Sequence, residues 1–423
     1  MSDVPRMTAV PPAVAQSAGH GKAEQTAGAG PAEPTVNGRY SHSKPMEADS
    51  LSEAVIDLSA IGHNVRALRS RTGAQVMAVV KADAFGHGAV PVARAALAAG
   101  ASWLGASSPT EALALRAAGL SAPVLAWLHA PDQSVDLALQ ASIDLSVSSE
   151  AHLQTVAVSA RRTQRRAAIH LKIDTGLRRN GSTEDCWPAL VASAARLQAS
   201  GIVHVRGIWS HLIYPDSPCH QSTAIQLEAF DHAVHVARVA GLAPDLVHIA
   251  NSGAALANRR THYDMVRAGI GLYGIEPVRG ERFGLIPAMT VRARILMTRP
   301  VAPGDGVSYW HEYVVPATGN AALVALGYAD GLPRAAAHQA EVLIGGRRRP
   351  VAGAIAMDQC VIDAGTASAT AGDLVVIFGP GFGGEPTVAD WAGWAGTIPH
   401  EILTRIGPRV TRRYLAEGAI YAR

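Results

Sequence analysis

The 423 residues, 48% hydrophobic and 17% charged, supply enough apolar material for a full core and suggest two domains, or one large barrel with a smaller companion. The net charge is only +3, and the 37 Lys and Arg residues form no basic tail or stripe, which argues against nucleic-acid binding. Three cysteines without CxxC spacing argue against a disulfide framework or a zinc site and fit a reducing compartment.

The first 50 residues differ in kind from the rest of the chain. They are rich in Ala, Pro, Gly, Ser and Thr, as in AGHGKAEQTAGAGPAEPTVNG, and carry almost no large apolar side chain. Such a segment cannot offset the entropy of ordering, so we expect residues 1–50 to be a disordered tail. MTAVPPAVAQSA is broken by two prolines and makes a poor secretory signal. No run approaches the roughly 18 apolar residues that a membrane helix needs, so we expect a cytoplasmic protein without a membrane anchor.

From about residue 53 to 280, short apolar runs alternate with helical patterns. The strand candidates are EAVIDL, QVMAVVK, ASWLGAS, PVLAW, IDLSV, AAIHLKID, IVHVRGIWS and DLVHIA. Ser108, Pro109 and Glu111 have the spacing of a capping box that opens a helix. Continuous apolar strands separated by helices predict a parallel sheet covered on both faces. About eight such units favour an α/β fold with a closed (β/α)8 TIM-type barrel over residues 51–285.

After about residue 285 the pattern changes. The runs MTVRARILMTRPV, NAALVALGYA, AEVLIGGRRRPVAGAIA and DLVVIFG are typical of strands and are separated by Pro and Gly turns. HEILTRI predicts one short helix near the end. We therefore expect a β-rich C-terminal domain over residues 286–423.

Chemically capable side chains follow several of the predicted barrel strands. They are Lys81, Lys172, His211, Asn251, Ser252 and Arg267 with Gly269. In such barrels the C-terminal ends of the strands carry the functional groups. Hydroxyl and backbone N–H groups suit a phosphate, and a lysine amine suits a carbonyl compound. Each group alone also has a structural interpretation: His211 is typical of a loop residue, and Ser252 in ANSGAA fits a helix N-cap.

The segment QVMAVVKADAFGHG resembles the pyridoxal-phosphate attachment motif of the alanine racemase family. Further segments follow in that family's order and spacing between residues 53 and 420: KIDTGLRRNG, GIWSHL, HIANSGA, MVRAGIGLYG, GVSYWHEY, GYADGLPRA and AGAIAMDQC. The resemblance implies a barrel plus a β domain, bound pyridoxal 5′-phosphate and a head-to-tail homodimer. It also implies racemisation of L- and D-alanine by two bases.

The resemblance assigns roles to three central residues. Lys81 would attach to the aldehyde of the cofactor, and Tyr309 would reach into the partner subunit and face Lys81 across the cofactor plane. Racemisation needs such a pair, since a base removes the Cα proton and an acid on the other face returns it. Arg267 would pair with the pyridine nitrogen, which a guanidinium does not readily protonate, so the ring would be a weaker electron sink.

The resemblance assigns the remaining site residues by position. The residues expected to touch the cofactor are His211, Asn251, Ser252, Gly269 and Ile270. The residues expected to touch the substrate are Arg179, Met357 and Asp358. Lys172 matches a lysine that is often carbamylated, which would make it an anion able to fix Arg179.

Four positions depart from the family pattern. Phe85 and Pro408 stand where members carry tyrosines whose hydroxyls touch the phosphate. Ala354 stands where an arginine often lines the entrance, and Asn180 stands where alanine-specific members carry an aliphatic residue. These departures are similar to features of broad-specificity racemases. We expect alanine to be a substrate and larger amino acids to be tolerated; the alternative is an enzyme that acts mainly on Lys, Arg or Ser.

Two other classes share parts of this pattern. A decarboxylase of the same architecture should place a carboxylate against the pyridine nitrogen, where this chain has Arg267. A non-enzymatic cofactor carrier should end after the barrel, whereas this chain continues through Tyr309 and Asp358. Both therefore fit the sequence less well than a racemase.

Overall fold

The computed structural model describes Met46 and residues 49–415. The segment expected to be disordered, residues 1–50, lies almost entirely outside these residues. Met46 and Ser50 belong to that segment, yet both are buried. The Arg294 guanidinium donates to their carbonyl oxygens, at 3.4 and 3.0 Å respectively.

The strands and helices of the described residues are numbered in chain order. The strands are β1 (Ser52–Asp57), β2 (Gln75–Val79), β3 (Trp103–Ala106), β4 (Val124–Ala126), β5 (Asp144–Val147), β6 (Ala167–Lys172), β7 (Val203–Trp209), β8 (Leu246–His248), β9 (Met265–Ala268), β10 (Met289–Val301), β11 (Gly306–Val307), β12 (Tyr313–Val314), β13 (Gly319–Val324), β14 (Glu341–Ile344), β15 (Arg347–Pro350), β16 (Cys360–Gly365), β17 (Leu374–Phe378) and β18 (Thr411–Leu415). The α-helices are α1 (Leu58–Arg71), α2 (Lys81–Phe85), α3 (Ala89–Ala98), α4 (Pro109–Ala117), α5 (Asp136–Gln140), α6 (Glu150–Thr163), α7 (Trp187–Ala199), α8 (Gln221–Val239), α9 (Ser252–Ala257), α10 (Val388–Trp394) and α11 (Pro399–Arg405).

Eight parallel strands form the predicted TIM-type barrel, in the order β8-β7-β6-β5-β4-β3-β2-β9. Backbone hydrogen bonds from Asp264 to Val247 (3.0 Å) and from Arg267 to Ala250 (3.1 Å) join β8 to β9 and close the barrel. Every residue of β3, β4 and β5 is buried, as expected for strands covered on both faces. The carboxyl ends of all eight strands therefore meet at one mouth.

The predicted capping box opens α4, with one difference. The Ser108 hydroxyl accepts a hydrogen bond from the Glu111 N–H at 3.2 Å, as predicted. The Glu111 carboxylate accepts from the N–H of Ser107 (2.7 Å) and of Ala82 (2.8 Å) instead of Ser108. Glu111 therefore ties α4 to the chain that follows Lys81. Within residues 49–415, no helix is both long and apolar enough to span a bilayer.

The prediction of a barrel strand at EAVIDL was wrong about its sheet. Strand β1 pairs antiparallel with β10 and parallel with β18, outside the barrel. The eighth barrel strand is β9, which pairs with β2 and lies in the segment MVRAGIGLYG. A short apolar run predicts a strand but does not specify its neighbours, because both sheets bury such runs.

The C-terminal part is mostly β-structure, as predicted. Strands β15, β14, β17, β10, β1 and β18 lie side by side, and β13 joins β10 to β16. The predicted helix near the end is α11. Barrel and second sheet belong to one compact unit with a continuous hydrophobic core. The division into domains at residue 285 stays a prediction.

One buried ion cluster fixes β1 between its neighbours. Glu53 is fully buried, and its Oε1 accepts hydrogen bonds from Nε and Nη2 of Arg292 on β10, each at 2.5 Å. Nη2 of Arg413 on β18 lies 3.4 Å from the same oxygen. Because a buried charge is stable only when it is paired, this carboxylate holds three strands in register.

We expect Glu53→Gln to lower the free energy of unfolding by about 3–5 kcal/mol, because it leaves two arginines at one site without their counter-charge. Urea denaturation followed by circular dichroism measures this. The matched control is Glu401→Gln, since Glu401 pairs with Arg405 at 3.3 Å on an exposed helix face. The control should lose less than about 1 kcal/mol. Equal losses in the two variants would contradict the role assigned to Glu53.

Candidate active site

Lys81 stands at the barrel mouth, two residues after the end of β2, and begins the segment α2, whose backbone is a left-handed turn and not a regular α-helix. Ala82, Asp83, Ala84 and Phe85 all have φ between 50° and 53°. L-residues in this conformation are each destabilised by about 1–2 kcal/mol, so the surrounding structure must hold the turn. Bonds from the Ala84 N–H to Val80 O (2.9 Å) and from the Ala82 N–H to Glu111 (2.8 Å) do so. Such strain is characteristic of functional sites.

Lysine is rare in this chain. It has four lysines among 37 Lys and Arg residues, and after residue 44 the only two are Lys81 and Lys172. Elsewhere in the folded part arginine carries the positive charge, and arginine does not lose its proton in proteins. Both remaining lysines lie at the same barrel mouth. The scarcity of lysine was therefore a signal that would have singled out both residues from the sequence alone.

The barrel mouth gathers more positive charge than negative charge. Burial, Arg267 and Arg179 lower the pKa of Lys172 to about 7, and Asp174 only partly opposes this. Burial and then Arg179 lower the pKa of Lys81, against Glu111.

The pKa of His211 responds to the same excess of positive charge. Burial and the neighbouring cations, Arg267 first, hold its pKa well below the ordinary value. His211 is therefore neutral near pH 7. Such a site favours anions such as phosphate and carboxylate.

Arg267 is the most strongly fixed cation of the site. From the end of β9 its Nη2 donates to Ser210 O (2.8 Å), Ile249 O (3.0 Å) and His211 Nδ1 (3.2 Å). Its guanidinium carbon lies 4.9 Å from the centre of the Trp209 ring. Lys172 Nζ lies 3.9 Å from the same ring centre. Burial lowers the pKa of Arg267 to about 9, so the group remains charged at pH 7.

A chain of hydrogen bonds behind Arg267 runs through the barrel interior. Arg267 Nη1 donates to His248 Nδ1 at 3.0 Å, so the proton of neutral His248 resides on Nε2. That N–H donates to His170 Nδ1 (3.0 Å), and His170 Nε2 donates to Asp144 (3.1 Å). Sequence reasoning missed these three polar residues, although each interrupts a predicted apolar strand. This series of hydrogen bonds orients Arg267 toward the barrel mouth.

The loops after β8 and β9 supply the groups that suit a phosphate. Asn251 caps α9 through Oδ1, while its Nδ2 is buried without a partner among the described residues. The Ser252 hydroxyl accepts from the N–H of Gly269 (2.9 Å) and of Gly271 (3.2 Å), so its own proton is free to donate. The Gly269 N–H, which is predicted to donate to the phosphate, donates to Ser252 here, and its role toward a phosphate stays a prediction. Ile270 opens the 3-10 turn Ile270–Tyr273, so its N–H has no acceptor within that turn.

A side chain at position 269 would occupy the space between the phosphate-binding loops and Phe85. A Cβ there would lie 3.7 Å from Phe85 Cζ and 3.9 Å from the Ser252 hydroxyl. The unpartnered amide, the hydroxyl, the amine of Lys81 and the excess of cations together fit pyridoxal phosphate, the cofactor that the sequence resemblance implies.

The site residues predicted from the C-terminal part of the chain are exposed. Tyr309 and Met357 are 61% and 53% exposed. Tyr309 stands between Ser308 (φ 66°) and Trp310 (φ 57°), both left-handed. Asp358 pairs with Arg409 at 2.7 Å. The Tyr309 ring lies beside that of Trp310, with ring centres 5.7 Å apart.

The remaining predicted residues and departures lie as follows. Arg179 is exposed, and its charge acts on both lysines. Phe85 is buried against Tyr273, with ring centres 4.6 Å apart. Pro408 is exposed and Ala354 is buried, with its carbonyl bound by the Ser308 hydroxyl.

Comparisons with known proteins agree with this geometry. The sequence profiles of the alanine racemase N-terminal and C-terminal domains match residues 56–277 and 288–414. The alanine racemase of Frankia casuarinae is 50% identical over 376 residues, covering 88% of this chain and 98% of the relative. That of Thermobifida fusca is 50% identical over 367 residues, covering 86% and 98%.

Solved structures lead to the same group of proteins. The alanine racemase of Streptomyces lavendulae superposes with a TM-score of 0.86 at 48% identity, covering 88% of this chain and 98% of that one. The alanine racemase of Bartonella henselae, whose crystal structure has covalently bound pyridoxal phosphate, gives a TM-score of 0.78 at 28% identity, covering 86% and 100%.

The lowered pKa of Lys172 predicts a pH-dependent penalty on folding in the cofactor-free protein. Between the folded pKa of about 7 and the ordinary value of about 10.4, only the unfolded chain keeps the proton, so stability should rise with pH in this window. Lys172→Met removes the penalty. We expect this variant to exceed the wild type in free energy of unfolding most at pH 6, and the difference to shrink as the pH rises from 7 toward 10.

Urea denaturation in bicarbonate-free buffer, which avoids reaction of the amine with carbon dioxide, measures this difference. Lys172→Arg is the matched control, because its charge persists through the window and should give no such gain. Parallel stability curves for the wild type and Lys172→Met would contradict the prediction.

Proposed function

The chain belongs to the alanine racemase family, and on this premise we propose that it is a pyridoxal-phosphate-dependent racemase that interconverts L- and D-alanine. The observation that carries the proposal is Lys81, an amine with a lowered pKa at the mouth of a (β/α)8 barrel, among cations that favour an anionic ligand. A lowered pKa increases the neutral fraction of the amine, and the neutral amine can both attack a carbonyl group and accept a proton.

Different residues of the barrel mouth would bind different parts of the cofactor. Asn251, Ser252 and the N–H of Ile270 would hold the phosphate, Arg267 the pyridine nitrogen and Lys81 the aldehyde carbon. His211, which Arg267 fixes at 3.2 Å, would border the ring. When bound, the cofactor withdraws electrons from the Cα of the attached amino acid and so makes its proton removable.

Two residues would move the proton. Lys81 Nζ takes or gives it on one face of Cα, and the Tyr309 hydroxyl of a second copy serves the opposite face. Arg267 would keep its proton and would not readily pass it to the ring, which favours return of a proton at Cα. Arg179, exposed beside both lysines, would bind the substrate carboxylate, and Met357 and Asp358 would border the substrate.

We further propose a homodimer with shared sites that acts in the cytoplasm. The exposed side chains of Tyr309, Trp310, Val314 and Met357, each more than half accessible, belong to a surface that a second copy would cover. The Tyr309 hydroxyl of a second copy would supply the acid opposite Lys81, and an isologous dimer would complete both of its sites at once. The three unpaired cysteines fit a reducing compartment.

The comparisons do not favour the alternative of a broad-specificity racemase acting mainly on Lys, Arg or Ser. The relatives at about 50% identity carry the name alanine racemase. Arg267 in place of a carboxylate argues against a decarboxylase, because a weak electron sink disfavours loss of carbon dioxide. Alanine is therefore the substrate that we propose.

We expect Tyr309→Phe to lower the kcat of alanine racemisation by about 10²–10⁴-fold, because one face of Cα loses its proton carrier. Cofactor binding, measured by visible absorbance, should persist, whereas Lys81→Ala should lose it. The matched control is Tyr263→Phe, which removes a hydroxyl bonded to Asp231 at 2.7 Å away from the barrel mouth and should leave kcat unchanged. An unaffected Tyr309→Phe enzyme would refute the two-base assignment.

A shared site predicts that two inactive variants restore each other. When Lys81→Ala and Tyr309→Phe chains are unfolded together and refolded, half of the dimers should be mixed, and each mixed dimer has one intact site. About a quarter of all sites should then be active. Each variant refolded alone is the control. If the mixture stays as inactive as its components while size-exclusion chromatography shows dimers, the site does not lie across two subunits.

A further inference from the structure

We infer that Glu111, on α4, is a positioning residue for Lys81: its carboxylate joins the strained turn after β2 to the loop after β3 and places a negative charge beside the amine. The inference rests on the proposed function, in which Lys81 attaches to the cofactor. It assigns a role to a residue for which the sequence predicts only a part in a helix cap.

The Glu111 carboxylate stands where the pairing of β2 and β3 ends. Just beyond β2, the Val80 N–H donates to Gly105 O at 2.8 Å. If the pairing continued, the next donor on this side would be the Ala82 N–H and its acceptor Ser107 O, each two residues further on. Ser107 O instead accepts from the Leu128 N–H at 2.7 Å. The Ala82 N–H therefore needs a different acceptor.

Glu111 supplies that acceptor and holds both strand ends at once. Its Oε1 accepts from the Ala82 N–H at 2.8 Å, and its Oε2 accepts from the N–H and the hydroxyl of Ser107, each at 2.7 Å. Ala82 has φ 52° and ψ 51°, a conformation that destabilises an L-residue. A hydrogen bond from its amide to a carboxylate helps to hold this backbone in place. Because Ala82 follows Lys81 directly, the same bond fixes the backbone that carries the lysine.

The charge of Glu111 opposes the cations around Lys81. Burial and then Arg179, in the chain after β6, lower the pKa of Lys81, and Glu111 raises it. Two histidines also face this amine, His211 after β7 and His400 on α11. Burial and neighbouring cations, Lys81 among them, lower the pKa of each, so both are neutral near pH 7. Glu111 is therefore the group that raises the proton affinity of Lys81.

The acid closest to Lys81 in the sequence has a different partner. Asp83 accepts a hydrogen bond from the Ala89 N–H, at the start of α3, at 2.8 Å through its Oδ1. It thus holds the other end of the turn, whereas Glu111 holds the end next to the lysine.

Two variants of equal charge separate the hydrogen bond from the charge. Glu111→Gln keeps an oxygen for the Ala82 N–H, Glu111→Ala removes it, and both lose the negative charge. Nuclear magnetic resonance of 13C- and 15N-labelled lysine measures the pKa of Lys81 in the cofactor-free protein. The chain has only four lysines, so loss of one signal in Lys81→Ala identifies Lys81. We expect the pKa of Lys81 to fall in both Glu111 variants.

Binding of pyridoxal phosphate, followed by visible absorbance, reports how well the amine is positioned. Glu111→Ala should bind it about fivefold more weakly than Glu111→Gln, the effect of one hydrogen bond between neutral groups. The matched controls are Asp390→Asn and Asp390→Ala. Asp390 occupies the same position in α10 and accepts from the Thr387 N–H at 2.8 Å. These controls should leave the pKa of Lys81 and the cofactor affinity unchanged.

Three results would overturn the inference: an unchanged pKa of Lys81 in Glu111→Gln, equal cofactor affinities of the two Glu111 variants, or the same effects in the Asp390 variants. A folded wild type that does not bind pyridoxal phosphate would refute the proposed function. The pKa comparison needs no cofactor and would still decide whether Glu111 acts on Lys81, so the two failures are distinguishable.

Discussion

The site depends on positive charge crowded at one barrel mouth without enough acid to neutralise it. Lys81, Lys172, Arg179 and Arg267 repel one another, and burial adds to the effect, as the lowered pKa values of Lys81, Lys172 and His211 show. Among the described residues, the Glu111 carboxylate raises the pKa of Lys81 and the Asp174 carboxylate raises that of Lys172, but neither cancels the lowering. An anionic ligand relieves the repulsion, and so the same arrangement that destabilises the cofactor-free protein favours binding.

Rigid surroundings hold these repelling charges in place. Four consecutive left-handed residues follow Lys81, and Glu111 holds the first of them from a neighbouring helix. Both terminal nitrogens of the Arg267 guanidinium donate hydrogen bonds. His248 and His170, which lie behind it, donate their own protons away from Arg267. The lysines can therefore exchange protons while the guanidinium keeps its own.

Local patterns revealed most of the fold, and they failed where the answer depends on distant partners. Lys81 and the alternation of strands and helices were readable, since both follow from nearest neighbours. The sheet of β1 was not, because its partners β10 and β18 lie more than 230 residues away in the chain. His248 and His170 looked like strand residues, since a hydrogen bond across a barrel leaves no local trace. The role of Tyr309 rested on a family resemblance alone, and its side chain is exposed in the described chain.

The place of β1 has a consequence for how the protein is made. This strand is synthesised before the entire barrel, yet it lies between β10 and β18, the last strand of the described residues. The second sheet therefore cannot form completely until β18 has been synthesised, and Glu53 has neither arginine as a partner until β10 and β18 exist. A fragment starting at residue 286 would lack β1, the strand that lies between β10 and β18. The two halves of this chain therefore should not fold independently.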